Sequence, residues 1–281
     1  MESFDSQIGR LDVGLLFQWV LSQSTENDRR ALLAIQLAFR ERQSSYVYLE
    51  IGSYKGGSLQ PHVLDPRCAQ IHSIDLRPRE ARDVRGGQNY SENSTAGMLR
   101  LLSSIPGAQV QKVKTYEAAS GDIPISSVLP KPDLCFIDGE HTDEAVLVDS
   151  RFCLGVLAQD GCIVYHDANL VHRGIMLFLE ELSRGHRKFR AFHLSDSIFF
   201  LEFDELRAGE QPFLKALLNE NYKGYLWSLA AGDDYRRFYF HPCARLLRAV
   251  LFRTGLWRPQ IAPSPGVGFS GAGKTRGLHL S

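Results

Sequence analysis

Between residues 11 and 43 apolar positions recur at helical spacing. Leu15, Leu16, Trp19 and Val20 share one face, and Leu32, Leu33, Gln36, Leu37 and Arg40 continue the spacing, which predicts two helices. Between them Thr25-Glu26-Asn27-Asp28 has the form of a capping box, with Asp where Glu usually stands. From Tyr46 the pattern changes to short apolar runs. These are Tyr46–Ile51, Gln70–Asp75, Val110–Val113, Leu134–Asp138, Cys162–His166, Phe189–Leu194 and Ile198–Phe203. Candidate helices separate most of them, at Ser91–Ser104, Asp143–Leu157 and Gly174–Arg184. Continuously apolar strands alternating with helices predict an α/β fold, a mostly parallel seven-stranded sheet covered on both faces. The last two runs are close enough for an antiparallel hairpin at the sheet edge.

Composition changes this picture little. With 281 residues, 44% hydrophobic and 23% charged, the chain can bury a full core and is not a disordered, collagen-like or disulfide-stapled protein. The five cysteines (Cys68, Cys135, Cys153, Cys162, Cys243) form no CxxC pair and read as reduced, mostly buried thiols. The charge-free stretch from Val13 to Thr25 is too short to span a bilayer. No basic-then-apolar leader opens the chain, so the cytoplasm is the expected compartment.

Charge changes it more. Basic and acidic residues balance at 32 each, which argues against a strongly basic nucleic-acid binder. Yet no Asp or Glu follows Asp234, and the last 47 residues carry eight Arg and Lys. The expected organisation is a helical cap (residues 1–45), a Rossmann-like domain (46–205), a helical extension broken near Pro242 (206–258) and a Gly/Pro/Ser-rich, disordered tail (259–281).

The first strand runs into Glu50-Ile51-Gly52-Ser53-Tyr54-Lys55-Gly56-Gly57-Ser58. Such a turn between strand and helix lets backbone approach a ligand closely, although its spacing is not the GxGxxG dinucleotide fingerprint. One strand later Asp75 falls 23 residues after Gly52, where doubly wound folds place the acid that binds ribose hydroxyls. The strand pattern with its terminal hairpin resembles the class I methyltransferase variation on the Rossmann theme. The glycine loop, with Tyr54 in its middle and Ser58 at its end, resembles that of catechol-type S-adenosylmethionine-dependent O-methyltransferases. The resemblance implies that Glu50, Gly52 and Ser58, in a loop that also contains Ser53 and Gly56, hold the methionine part of the cofactor, with Tyr54 beside it. It places Asp75 on the ribose and Tyr116 and Glu117 at the adenine-side turn. A purely structural tight turn is the competing reading of the glycines.

Two further strands end in ionisable groups. One gives Phe136-Ile137-Asp138-Gly139-Glu140-His141, with Asp143, Glu144 and Asp149 beyond it, and the other Cys162-Ile163-Val164-Tyr165-His166-Asp167. In a parallel sheet these ends share a crevice with the glycine loop. Together the two motifs resemble the methyltransferase families that act on sugar and macrolide-sugar hydroxyls, over roughly Tyr46 to Phe203. The resemblance implies a reaction centre of Asp138, His141, His166 and Asp167, with His141 as the base. Some relatives hold a divalent cation through an acid at the Asp138 position and two adjacent acids. Here that adjacent pair is His166-Asp167, so a set of Asp138, His166 and Asp167 suits Mn²⁺, Fe²⁺ or Zn²⁺ better than Mg²⁺. A metal-free site, with His166 as base or hydrogen-bonding group, stays open. His62, His72, His186 and His193 show no partner pattern and read as structural.

Gly268 to Thr275 matches the GxxxxGK[ST] expression, but prolines precede it and only six residues follow, too few for the helix a phosphate loop requires. Between Arg236 and Arg258 lie six arginines and no acid. Helical geometry from Cys243 groups Cys243, Leu246, Leu247, Val250, Leu251 and Trp257 opposite Arg245, Arg248 and Arg253. That is either a surface helix packed on the body or a peripheral contact with an anionic membrane through residues 236–258. The expected function is an S-adenosylmethionine-dependent methyltransferase acting on a hydroxyl of a glycan, glycolipid or glycosylated natural product. The rivals are an NAD-dependent oxidoreductase on the same scaffold and a degenerate methyltransferase-fold scaffold protein. Nucleic acid is not an expected partner, and neither the acceptor nor the oligomeric state is legible.

Overall fold

A computed structural model describes residues 2–254 except 78–79, 84–85, 90–91 and 196. The tail at 259–281, with its phosphate-loop-like motif, lies outside the described residues, as does Trp257. The chain divides into two units, residues 1–231 and 232–281. Residues 206–231, expected in a separate extension, thus belong to the main unit.

That unit opens with three helices, α1 (Phe4–Gly9), α2 (Val13–Leu16) and α3 (Glu26–Arg42), where two were expected. Helical spacing failed at Trp19 for a tertiary reason. The buried amide of Gln60 accepts from the backbone N–H groups of Trp19 and Val20, both at 2.9 Å, and donates to the carbonyls of Val20 at 2.7 Å and Gly57 at 2.8 Å. One side chain therefore satisfies backbone that a helix would otherwise have paired. Leu16 and Val20 remain in the core, while Leu15 and Trp19 face outward. Gln60→Ala would leave these buried groups unpaired, so it should cost roughly 2–4 kcal/mol in urea unfolding; a loss below about 0.5 kcal/mol would show that the segment is held by other contacts.

The sheet follows. Strand β1 (Tyr46–Ile51) leads through α4 (Gln60–Leu64) to β2 (Cys68–Ile74), then a separate antiparallel ribbon of β3 (Glu80–Asp83) and β4 (Gly86–Asn89). Next come α5 (Thr95–Ser103), β5 (Val113–Tyr116), β6 (Leu134–Ile137), α6 (Asp143–Val156), β7 (Cys162–Tyr165), α7 (His172–Arg184), β8 (Phe189–Leu194) and β9 (Ile198–Phe203). A short α8 (Pro212–Lys215) precedes β10 (Leu218–Asn219), and α9 (Tyr222–Phe240) and α10 (Pro242–Arg253) complete the described chain.

Eight strands pair in the order β10-β8-β9-β7-β6-β1-β2-β5. The five from β5 to β7 are parallel, whereas β9 runs antiparallel to β7 and β8 antiparallel to β9. The expected hairpin is present, but the two-residue β10 rather than β8 forms the edge. Both faces are covered. Tyr46, Tyr48 and Phe136 pack toward α3, α4 and α5, while Leu49, Ile51 and Ile137 pack toward α6 and α7. Burial on both sides is why these strands read as unbroken apolar runs. Cys68, Cys135, Cys153 and Cys162 are buried free thiols, and Cys243 is exposed.

Candidate active site

The carboxyl ends of β1, β2 and β6 open on a cavity of about 370 Å³. Its walls are the loop after β1, the end of β2 at Asp75, residues Ala118–Ser120 and the segment from Asp138 to His141. Helix α6 adds Glu144 and Asp149, and the amino-terminal segment contributes Leu21, Ser22, Gln23 and Ser24.

Two glycines make this closeness feasible. Gly52 has φ of +92°, and a Cβ there would stand 2.0 Å from the carbonyl oxygen of Asp138. At Gly57 a Cβ would meet the carbonyl of Leu21 at 2.6 Å, so this glycine admits the amino-terminal segment to the rim. Between them Tyr54 holds φ of +43°, an uncommon value for a bulky residue. Its backbone N–H donates to Asp75 Oδ2 at 2.6 Å. The same oxygen accepts from Asn93 Nδ2 at 3.2 Å and lies 3.4 Å from Arg77 Nε. Asp75 thus both fixes the loop and faces the cavity. Asn93, which the sequence pattern did not single out, lines the cavity beside it, and its buried Oδ1 has no hydrogen-bond partner among the described residues.

The other loop expectations divide. Ser53, Tyr54 and Ser58 line the cavity. Glu50 does not. It is fully buried beneath the loop, where Ser58 donates to Oε1 at 2.6 Å and Tyr48 to Oε2 at 2.7 Å. Burial pushes its carboxyl up to about 7 against the pull of these two hydroxyls. Gly56, with φ of +83°, is turned toward Met98 and Leu102. Tyr116 is likewise behind the wall, its hydroxyl 3.2 Å from His72 Nδ1 and from the carbonyl of Ser127. Ala118–Ser120, rather than Tyr116 and Glu117, form this part of the lining, because the chain needs two further residues after β5 to reach the cavity. His62 stacks on Tyr48 at 3.7 Å within the core.

Beyond β6 and β7 and at the start of α3 five groups converge, Asp28, Asp138, His141, His166 and Asp167, of which Asp138 and His141 line the cavity. Asp138 Oδ1 accepts from His166 Nδ1 at 2.9 Å, and His166 Nε2 lies 3.6 Å from Asp28 Oδ2. Asp28 is one of the capping-box residues, and the box is formed: its N–H donates to Thr25 Oγ1 at 3.1 Å and its Oδ2 accepts from Thr25 N at 3.2 Å. Ser195 donates to its other oxygen at 2.9 Å. The sequence showed Asp28 only as a cap, yet one carboxylate serves both duties.

Burial disfavours charge on His166, but Asp138, Asp28 and Asp167 outweigh it and raise the imidazole to about 11. In the metal-free protein His166 is therefore an imidazolium at neutral pH, and it donates to Asp138, the hydrogen-bonding role among those expected for it. Burial likewise raises Asp138, but His166 and His141 outweigh it and hold the carboxyl at about 2.

His141 is placed differently. Its Nε2 lies 3.2 Å from Asp167 Oδ2 and 3.5 Å from Asp138 Oδ1. One donor atom each from Asp138, His141 and Asp167 falls within a 4.8 Å spread, so the geometry regroups the expected cation ligands around His141 rather than His166. Asp167 holds φ of +49°, a strained turn at the strand end. Across the cavity Asp149 accepts from Ser120, and its burial, only partly offset by that bond, lifts its carboxyl to about 6.

Residues 49–168 match the model of a family described as a methyltransferase domain. The chain is 27% identical over 132 residues to uncharacterized protein R132 of Acanthamoeba polyphaga mimivirus, a match taking 47% of this chain and 55% of that one. It thus spans about half the length of this curated relative. Among solved structures, the O-methyltransferase NovP aligns over 72% of this chain and 96% of its own, with a TM-score of 0.51 and 10% identity. The O-methyltransferase TomG of Streptomyces achromogenes, solved in complex with S-adenosylmethionine, aligns over 72% and 90%, with a TM-score of 0.46 and 17% identity.

Proposed function

The chain carries a methyltransferase domain at residues 49–168, and we propose that it uses S-adenosylmethionine to methylate a hydroxyl of a sugar-containing acceptor. The observation behind this reading is that one cavity joins the glycine loop and Asp75 to Asp138 and His141. The donor side fits such a ligand. Backbone freed of Cβ atoms at Gly52, the Asp75 carboxylate and the unpartnered Asn93 Oδ1 offer close approach and polar contacts together. Gly52, Ser53, Tyr54 and Ser58 would hold the methionine part, Asp75 the ribose, and Ala118–Ser120 the base. When bound, S-adenosylmethionine supplies an electrophilic methyl group.

A sugar hydroxyl is a weak nucleophile whose proton must leave as the methyl arrives. His141 takes that proton at Nε2, and the carboxylates of Asp138 and Asp167 stabilise the imidazolium that results. His166, already charged, keeps Asp138 ionised and oriented. The acceptor reading rests on the motif around Asp138 to His141, and Ser22, Gln23 and Ser24 at the rim offer hydrogen bonds suited to a polyhydroxylated partner. Calorimetry with S-adenosylhomocysteine and with NAD, then transfer of labelled methyl to a panel of glycans and glycolipids, tests it. Binding of NAD in place of the homocysteine compound would overturn the cofactor assignment.

The 4.8 Å grouping favours a second reading, in which Asp138, His141 and Asp167 hold a divalent cation that lowers the pKa of the acceptor hydroxyl. One nitrogen and two carboxylates suit Mn²⁺, Fe²⁺ or Zn²⁺. On this reading chelator-dialysed enzyme loses activity at least about tenfold and regains it with Mn²⁺. Unchanged turnover after dialysis leaves His141 as the base.

A further inference from the structure

We propose that residues 235–253 form a docking face for an anionic lipid bilayer, lying on it rather than crossing it. No helix among the described residues is long and apolar enough to span a membrane. The second unit carries large apolar side chains that are exposed. Phe238 and Phe240 at the end of α9 are 56% and 68% exposed, and Leu246 and Val250 in α10 are 70% and 49% exposed. At 100° per residue Leu246, Val250, Cys243 and Leu247 fall within about a third of the circumference of α10. Soluble surfaces rarely leave so contiguous an apolar strip without a partner.

Charge identifies the partner. Arg253 is exposed at the border of that strip and Arg245 is exposed about 100° beyond its edge, and Arg236 and Arg237 are exposed beside the aromatic residues of α9. Arg236 lies 3.8 Å from Asp233, but no acid follows Asp234 in the sequence, so Arg237, Arg245 and Arg253 meet no acid from beyond that residue. Two copies of this face would bring arginines against arginines, which opposes self-association. A bilayer with anionic headgroups satisfies both halves at once: leucine, valine and phenylalanine enter the acyl boundary, tyrosines sit at the interface, and the guanidinium groups meet phosphates. None of these residues belongs to the cavity, so the proposal stands apart from the methyl-transfer reading.

Flotation of the full chain with vesicles of phosphatidylcholine alone, and with about 30% phosphatidylglycerol, tests it. Recovery should be at least about tenfold greater on the anionic vesicles and should fall in ~0.5 M salt. The paired change Leu246→Asp and Val250→Asp should abolish flotation, and Arg245→Gln with Arg253→Gln should weaken it at low salt. These side chains are exposed, so the variants should keep the circular dichroism and melting temperature of the parent. Equal recovery on neutral and anionic vesicles, absence of flotation at low salt, or full flotation of the Leu246→Asp, Val250→Asp variant would each overturn the proposal.

Discussion

His141→Ala should lower kcat for methyl transfer by about 10²- to 10⁴-fold while leaving the affinity for S-adenosylhomocysteine within about threefold. The split follows from position. His141 stands at the Asp138–Asp167 end of the cavity, whereas the groups assigned to the cofactor lie on the loop after β1 and at Asp75. Removing the imidazole leaves the acceptor proton without a local base, but the Gly52–Ser58 loop and the Tyr54–Asp75 contact stay in place. Asp167→Asn should give a smaller loss in kcat, because it removes one stabilising charge from His141 and not the base itself. Single-turnover transfer of labelled methyl to the acceptor found in the glycan panel measures the chemical step, and calorimetry the affinity. Wild-type kcat in His141→Ala would remove this residue from the chemistry. Partial recovery of the variant with excess Mn²⁺ would instead point to a ligand role.

How much of this was legible depended on how local each determinant is. Tyr46–Ile51, Phe189–Leu194 and Ile198–Phe203 were read residue for residue, because two-sided burial writes itself into consecutive positions. The two-residue β10 and the Glu80–Asp83 and Gly86–Asn89 ribbon carry no apolar pattern, and both were missed. The segment around Trp19 was misread because its geometry is set by Gln60, a residue forty positions away in sequence. At the site, Gly52, Asp75, Asp138 and His141 were legible because strand ends in a parallel sheet must converge. The charge of His166 was not, since it depends on carboxylates arriving from α3, β6 and the turn after β7. Nor was the approach of His141 to Asp167, because sequence adjacency places His166 beside Asp167 while the fold brings His141 within 3.2 Å of it. The lining after β5 begins two residues past Tyr116, the difference between where that strand ends and where the cavity begins.

Asp28→Ala should destabilise the protein by about 3–5 kcal/mol at pH 7, and the deficit should shrink as pH rises. Asp28 is almost wholly buried, and removing it strips His166⁺ of one of its three nearest carboxylates, which leaves a buried charge under-compensated. It also removes the carboxylate half of the α3 capping box and the acceptor for Ser195. The pH trend follows from the direction of each shift. His166 is raised to about 11, so in metal-free protein its stabilisation is complete below its unfolded pKa near 6.5 and is lost as pH climbs through that window. Asp28 lies on the other side: burial opposes its charge, but His166, Thr25 and Ser195 hold it well below the carboxylate range, so its contribution is present above about pH 4 and lost only in acid. Wild type should therefore lose stability between neutral pH and about pH 10, by an amount on the order of a few kcal/mol. The variant, whose His166 is held by one carboxylate fewer, should lose less, and the two curves should converge. Asp28→Asn, which keeps a capping oxygen, should recover the helix-cap part of the loss but not the pH dependence. Urea unfolding of the three proteins at pH 7 and pH 10 after chelator dialysis measures these differences. Parallel wild-type and Asp28→Ala curves across that interval would show that Asp28 acts as a cap alone and that His166 owes its charge to Asp138 and Asp167.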